Sequence, residues 1–453
     1  MQSDFAPGGA TRCLGAIPRA GRGTEGPSGS SENGRVLGSD AGHCQTSGHA
    51  QCWGQGRENR QNGGNVMTDL TRRLVLGAAA ALPVTRAFAQ APAAAPVPTQ
   101  PILAIPPSVV TNPPRQWGPG APPAFNPDPD ILRADPSFGG LLIGQETIRR
   151  LATGYHLAEG PAWSGIGNFV IFSDVKNDTL YRYIWETGEV TAYRKPSFNT
   201  NGNTFDHQGR QISTQDFFRR VVRWEADGAM TIIADKFEGK PLNSPNDVAP
   251  HKDGSIWFTD PTFGGALAEG HPDEGTLRDP SIGNSGVGIQ LAGGMKQQLP
   301  ANVYRWDPSP SPGGKLEVVL APDNGGAPNG LCFSPDYSKL YVIRGGGISV
   351  GDIDGHRLVN VRPFTDCRVD GVRCGPDGMR ADKAGNMWAS SAAPLGYAGV
   401  TCWNPAGKLI GRIRLPETCA NLAFVGPKRD HLFMCANSSI YMVRLNIQGA
   451  APG

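Results

Sequence analysis

The chain has 453 residues and a formal net charge of +2, with 42 Lys and Arg nearly balancing 40 Asp and Glu. That balance gives no field that would single out nucleic acid or an anionic membrane surface as a partner. Its length allows one large domain beyond an N-terminal region of different character.

Residues 1–66 are rich in Gly, Ser, Arg and other polar residues and show no apolar periodicity. At Met67 the character changes: Arg72-Arg73 precede a short apolar run, Leu74 to Leu82, and Ala87-Phe88-Ala89 supplies a small-x-small cleavage site. This is the pattern of a bacterial twin-arginine export signal spanning 67–89, too short to anchor in a bilayer. A general secretory signal with a chance Arg pair is the alternative. Translation is expected to start at Met67, leaving 1–66 as a non-native upstream extension; a disordered extension is the other reading. The mature protein is expected in the periplasm or outside the cell, with no membrane span. Residues 90–130 are Pro- and Ala-rich and read as an extended linker without a core of its own.

From 131 to 447 one pattern recurs. A polar residue opens a short apolar strand, a turn follows, and a second apolar strand returns. The openings are Glu159, Asn201, Asn246, Asn329, Asp377 and Asn421. Glu159, Asn201, Asn246 and Asp377 are each followed eight residues later by a glycine: Gly167, Gly209, Gly254 and Gly385. The other two carry a one-residue slip. Such glycines supply the positive φ that tight hairpins need. The returning strands, such as Ile256-Trp257-Phe258 and Leu340-Tyr341-Val342, are β-branched and aromatic. Most openings lie roughly 42–48 residues apart, the length of a four-stranded blade. The longer gap after Asn246 is filled by an insertion, Gly264–Pro300, readable as a lid or as a solvated loop. The expectation is an all-β fold, a six-bladed β-propeller with a central metal site.

In a propeller the opening residues converge at one mouth of the axial channel. Here they offer carboxylate and amide oxygens, with no thiolate or imidazole. Oxygen-only ligands suit a hard divalent cation, Ca²⁺ first, with Mg²⁺, Mn²⁺ or Zn²⁺ as alternatives. Such a cation would polarise an ester carbonyl and stabilise the oxyanion formed on it. For any one of these residues alone, an ordinary turn or cap is the competing reading.

Glu159-Gly160-Pro161-Ala162-Trp163, Ser244-Pro245-Asn246-Asp247-Val248, Asp260-Pro261, Pro328-Asn329-Gly330-Leu331 and Pro376-Asp377-Gly378-Met379, in that order, resemble the gluconolactonase/senescence-marker-protein (regucalcin-like) family. The resemblance implies a propeller with one divalent metal at its axis and hydrolysis of a sugar lactone such as glucono-1,5-lactone. Carried over, it implies Glu159, Asn246, Asn329 and Asp377 as metal ligands. It implies Asp377 as the catalytic base or water-orienting group, and Asn246, Asn201 and Asp260 as substrate contacts. A carboxylate bound to a dication is a weak base, so orienting a water is the milder role. An esterase or phosphotriesterase on the same site, or a non-enzymatic metal-containing binding module, are the alternatives.

Two positions depart from the family pattern. Gln215-Asp216 stands before Arg219-Arg220 where many bacterial relatives have an acidic residue and His. Ser244 stands where animal members have a substrate-binding Arg. Gly347-Ile348-Ser349-Val350-Gly351 matches Gly-x-Ser-x-Gly only as a string, without the strand–turn–helix setting of a nucleophile elbow, and no Gly-rich dinucleotide fingerprint follows a strand. His207 and His251 fall in turns and read as non-catalytic; Trp163, Trp257 and Trp388 read as packing between blades. Six cysteines follow the cleavage site, with no zinc-site spacing. Most read as small buried hydrophobes; Cys367 and Cys374 are the local candidates for a disulfide.

Overall fold

The computed structural model describes residues 105–263, 297–309, 313–323 and 325–450. The upstream extension, the signal at 67–89, linker residues 90–104 and most of the insertion lie outside the described residues. All described residues belong to one compact unit, 94–453. The described secondary structure is almost wholly β, with two short 3-10 segments, Pro136–Leu141 and Val175–Asn177.

Six antiparallel sheets follow one another in sequence order, each entered by its innermost strand. Blade I comprises Ala158–Ser164, Phe169–Asp174, Thr179–Ile184 and Val190–Arg194. Blade II comprises Thr200–Phe205, Gln211–Gln215, Arg220–Trp224 and Met230–Ala234. Blade III comprises Val248–Pro250, Ile256–Asp260, Asn302–Asp307 and Lys315–Leu320, with the insertion between its second and third strands. Blade IV comprises Pro328–Phe333, Lys339–Arg344, Gly347–Asp354 and Arg357–Thr365. Blade V comprises Met379–Ala381, Met387–Ser391, Gly399–Trp403 and Leu409–Arg414. Blade VI takes Cys419–Val425, His431–Ala436 and Ser439–Arg444 from the C-terminal end of the chain.

The core is six separate apolar seams, one between each pair of successive blades. Blades V and VI meet through Trp388, Val400, Leu422, Phe424 and Met434. Blades III and IV meet through Trp257, Val303, Leu331 and Phe333. The seam between blades I and II is smallest, built on Ala162, Ile171, Leu180 and Phe205. A buried polar network adds to it: the Asn203 amide donates to Gly160 O at 3.0 Å and to Ser173 Oγ at 2.9 Å. Because a blade is covered on both faces, its inner strand is buried at most or all residues, as in Cys419–Val425 and Ala158–Ser164. Burial there does not require an apolar run: Thr200–Phe205 is buried throughout and mostly polar. Trp257 packs edge-on against Phe333 at 5.5 Å and Trp388 against Phe424 at 6.0 Å, so these indoles bridge blades as expected.

The ring closes by pairing distant parts of the chain. Arg149–Thr153 forms the outer strand of blade VI, in register with the C-terminal strand from Arg149↔Met442 to Thr153↔Ser439. Ile131–Arg133 adds a fifth strand to blade V. The structure also corrects the expected linker. From Ser108 the segment is docked: Asp128 and Asp130 are buried, and Arg115 donates to both Asp128 carboxylate oxygens at 2.8 Å and to Ile148 O at 2.7 Å. Proline content signals an extended backbone, but not whether that backbone is tied down.

Candidate metal centre at the propeller axis

Inner strands run away from one mouth of the channel and second strands return to it. The openings of the former and the ends of the latter therefore share one end. The hairpin glycines Gly209, Gly254 and Gly385, with φ of 78°, 89° and 81°, lie at the other. Glu159, Asn201, Asn246 and Asn421 are buried, and Asn329 and Asp377 are half-buried. In blades I, II, IV and VI the inner strand carries a register shift at or beside the opening residue, between Glu159 and Ala162, Thr200 and Asn203, Pro328 and Leu331, and Cys419 and Asn421. Such bulges re-aim a side chain out of the ladder.

The ring is tightened by backbone contact. Gly330 N donates to Asp377 O and Gly202 N to Asn246 O, each at 2.9 Å. A Cβ on Gly330 would lie 2.3 Å from Asp377 O, so only glycine allows that approach. A second set of residues, unforeseen from the sequence, stands behind the openings at the ends of the second strands. Ser173 Oγ donates to Asn201 O at 2.8 Å and Thr214 Oγ1 to Asn246 O at 2.6 Å. Thr259 Oγ1 accepts from Asp247 N at 3.1 Å; Ser390 Oγ accepts from Asp377 N at 2.9 Å and Gly378 N at 3.1 Å. Cys435 occupies the same place in blade VI, 4.0 Å from Glu159 O. All five lie 13 or 14 residues beyond their opening residue. That spacing was the readable signal.

Glu159 and Asp377 are the two carboxylates among the six openings. Glu159 Oε2 accepts from Gly160 N at 2.7 Å and from the Asn421 amide at 3.0 Å. Burial first, then the neighbouring negative charges of Glu159 and Asp247, push the Asp377 carboxyl well above its usual range; a hydrogen bond from Asn329 opposes this. Asp247 is raised by burial too, partly offset by Arg380 at 3.6 Å. Among the described residues no three His, Cys, Asp or Glu side chains converge as a metal cage, so amide oxygens would have to complete any cation site here. One is available: Asn329 Oδ1 is buried and accepts no hydrogen bond. Two repelling carboxylates beside an orphaned amide oxygen fit a hard divalent cation held by Glu159, Asn329 and Asp377 with Asn246.

Asn246 belongs to a segment braced from behind. Arg219 Nε donates to Leu242 O and, at 3.0 Å, to Asn243 O. Asp260 Oδ2 accepts from Asn243 N at 2.8 Å, and Ser244 Oγ donates to Pro261 O at 2.9 Å. Asp260 is fully buried and its Oδ1 has no partner; burial pushes its carboxyl up to about 7. Expected as a substrate contact, it also braces the Asn246 segment through Asn243 N. Ser244 likewise turns its hydroxyl to the backbone. Asn201 donates to Asp216 Oδ2 at 3.4 Å, and burial raises Asp216 to about 7.

The remaining predicted positions are plain. His207 is exposed, whereas His251 is buried, with its ring 5.0 Å from Phe333 and 5.2 Å from Tyr337. All six described cysteines are buried free thiols. Cys374 N donates to Cys367 O at 2.9 Å across a small hairpin, without a disulfide.

The SMP-30/Gluconolactonase/LRE-like region model matches residues 157–438. A gluconolactonase of Zymomonas mobilis is 27% identical over 344 residues, covering 70% of this chain and 87% of the relative. A gluconolactonase structure from Xanthomonas campestris is 30% identical with a TM-score of 0.59, covering 73% of this chain and 98% of that one. A calcium-binding regucalcin from Agrobacterium tumefaciens shares the fold at 19% identity and a TM-score of 0.50, covering 68% and 97%. The family model covers every axial residue from Glu159 to Asn421, and the chain belongs to the SMP-30/gluconolactonase/LRE-like family.

Proposed function

We propose that this protein is a metal-dependent lactonase that opens a sugar lactone of the glucono-1,5-lactone kind to its hydroxy acid. One observation carries the reading: the Glu159 and Asp377 carboxylates are close enough to repel each other, and Asn329, which hydrogen-bonds to Asp377, keeps its buried Oδ1 without a partner. The gluconolactonases of Zymomonas and Xanthomonas support it. A divalent cation at this position, Ca²⁺ first, would polarise the lactone carbonyl and stabilise the negative charge that grows on its oxygen.

The chain's own residues supply the rest. Asp377 orients a water toward the carbonyl carbon and takes up its proton on a carboxylate oxygen. As the ring C–O bond breaks, that proton passes to the departing ring oxygen, giving a carboxylic acid and a hydroxyl, and the acid then releases its own proton to solvent to leave the carboxylate. Asn246 and Asn201 hold substrate hydroxyls. The Ser390 hydroxyl fixes Asp377 through its backbone N–H. Export by the Arg72-Arg73 signal would place this reaction in the periplasm.

The test is a pH-indicator assay on a panel of lactones, aryl esters and phosphotriesters. It is run after chelation and again with Ca²⁺, Mg²⁺, Mn²⁺ or Zn²⁺ restored singly. Lactone opening that disappears on chelation and returns with Ca²⁺ supports the reading. Turnover confined to esters or phosphotriesters, or lactone opening indifferent to chelation, overturns it.

A further inference from the structure

At the hairpin end of the blades, opposite the axial site, the turns of blades VI, I and II line an open pocket of about 400 Å³. Its walls include Trp163, Ile166, Phe205, His207, Pro427 and Arg429. The apolar wall is unusual for a hairpin end: Ile166 is 79% exposed and its Cδ1 leans over Gly209.

Arg429 is the informative residue. Its backbone is held in the left-handed region at φ 55°, with its N–H on Gly426 O at 2.8 Å and its carbonyl on Gly449 N at 2.9 Å. Glycine or Asn is the ordinary occupant of such a turn, so a long cation there is costly unless it serves a purpose. Its Nε is buried without a hydrogen-bond partner, and no described carboxylate pairs with its guanidinium. The ionisable groups that act on it electrostatically are Tyr337 and a second cation, Arg380. Burial pushes the Arg429 guanidinium down to about 10, the sign of a charge lacking compensation. The carboxylate lining the same cavity, Asp206, is already committed. Its Oδ2 accepts from Arg210 Nε at 2.7 Å, and its Oδ1 from the backbone N–H groups of Gln208 and Arg210 at 3.0 and 2.8 Å.

We propose that this cavity is a second binding site, separate from the axial centre, for a small carboxylate bearing an apolar or planar body, with Arg429 receiving the carboxylate and Trp163, Ile166 and Phe205 the body. An arginine fork suits a carboxylate's two oxygens, and a desolvated guanidinium gains most from such a partner. Exposed His207 stands at the rim, where it would add a donor. The site does not depend on the lactonase reading.

The test is calorimetric titration of the cation-loaded full chain with benzoate, with inorganic phosphate and gluconate as polar-bodied comparisons. Saturable benzoate binding is expected, tighter than either comparison. Arg429→Gln should weaken it roughly ten- to hundredfold, and Arg429→Lys less, because charge survives while the fork is lost. Ile166→Ser, at an exposed position that folding does not need, should weaken benzoate but not phosphate. Asp377→Asn should leave benzoate binding unchanged. Absence of saturable binding, equal binding by a folded Arg429→Gln protein, or loss of binding in Asp377→Asn would each overturn the proposal. Phosphate binding tighter than benzoate would overturn the ligand class.

Discussion

The side-chain amide of Asn421 donates to Glu159 Oε2 at 3.0 Å across a sequence separation of 262 residues. It joins the last blade to the first at the axis, while Arg149–Thr153 joins them at the rim. The ring is thus closed twice, and the carboxylate expected to hold a cation is oriented by the inner closure.

The hydroxyl behind the axial carboxylate supports function through geometry. Ser390→Ala would leave the N–H groups of Asp377 and Gly378 without their side-chain acceptor. Urea unfolding should show a loss of about 1–3 kcal/mol. Lactone turnover should fall mainly in kcat, and Ser390→Thr should restore most of it. Unchanged kcat in a folded Ser390→Ala protein would remove the positioning role.

A cation at the axis should stabilise the fold, because it cancels the repulsion that raises Asp377. Adding Ca²⁺ to chelated protein should raise the thermal midpoint progressively with Ca²⁺ concentration, the stability gain reaching about 2.7 kcal/mol at a hundred times Kd. Asn329→Ala should weaken that response, since it removes an unpartnered buried oxygen. Asp377→Asn should lower lactone turnover by roughly 10²–10⁴, yet raise the stability of the chelated protein. A chelated Asp377→Asn protein less stable than its parent would contradict the repulsion argument.

Stability should also fall with rising pH. Asp216 and Asp260 have folded values of about 7 against an ordinary 3.8. A raised carboxyl contributes fully below its unfolded value, and that contribution is lost as pH rises toward the folded one. Between about pH 4 and 7 these two groups should lower the unfolding free energy, and Asp216→Asn should flatten the slope. Denaturant titrations at several pH values in that interval, in chelator, read this directly. A slope unaltered by Asp216→Asn would show that this carboxyl does not carry it.

The N-terminal segment should prove necessary for the fold. Asp128 is buried between Arg115 and the N–H groups of Asp130 and Ile148. Asp128→Ala would leave Arg115 only Asp130, at 3.5 Å, as a carboxylate partner and would orphan the N–H groups of Asp130 and Ile148, at a cost of about 1–3 kcal/mol. Chemical denaturation should show that loss. A change within 0.5 kcal/mol would restore the reading of this stretch as a passive tether.

The sequence by itself determined the repeat, and with it the fold. A polar opening, a glycine turn and an apolar return are local requirements of a hairpin, and each blade states them anew. It also named Glu159, Asn329, Asp377 and Asn421 as equivalent openings, and these side chains interact in the folded ring. Tertiary structure decided what repetition cannot encode. The outer strands of blades V and VI come from Ile131–Arg133 and Arg149–Thr153, pairings whose partners lie some 280 residues away and leave no local mark. The docking of Ser108–Asp130 rests on buried ion pairs that proline content does not reveal. Asp260 was legible as a residue of interest, but its hydrogen bond from Asn243 N, which braces the Asn246 segment, appears only in the folded structure. The charge state of Asp377 follows from which groups surround it in the folded ring, since burial and nearby carboxylates, not residue type, set where a proton rests.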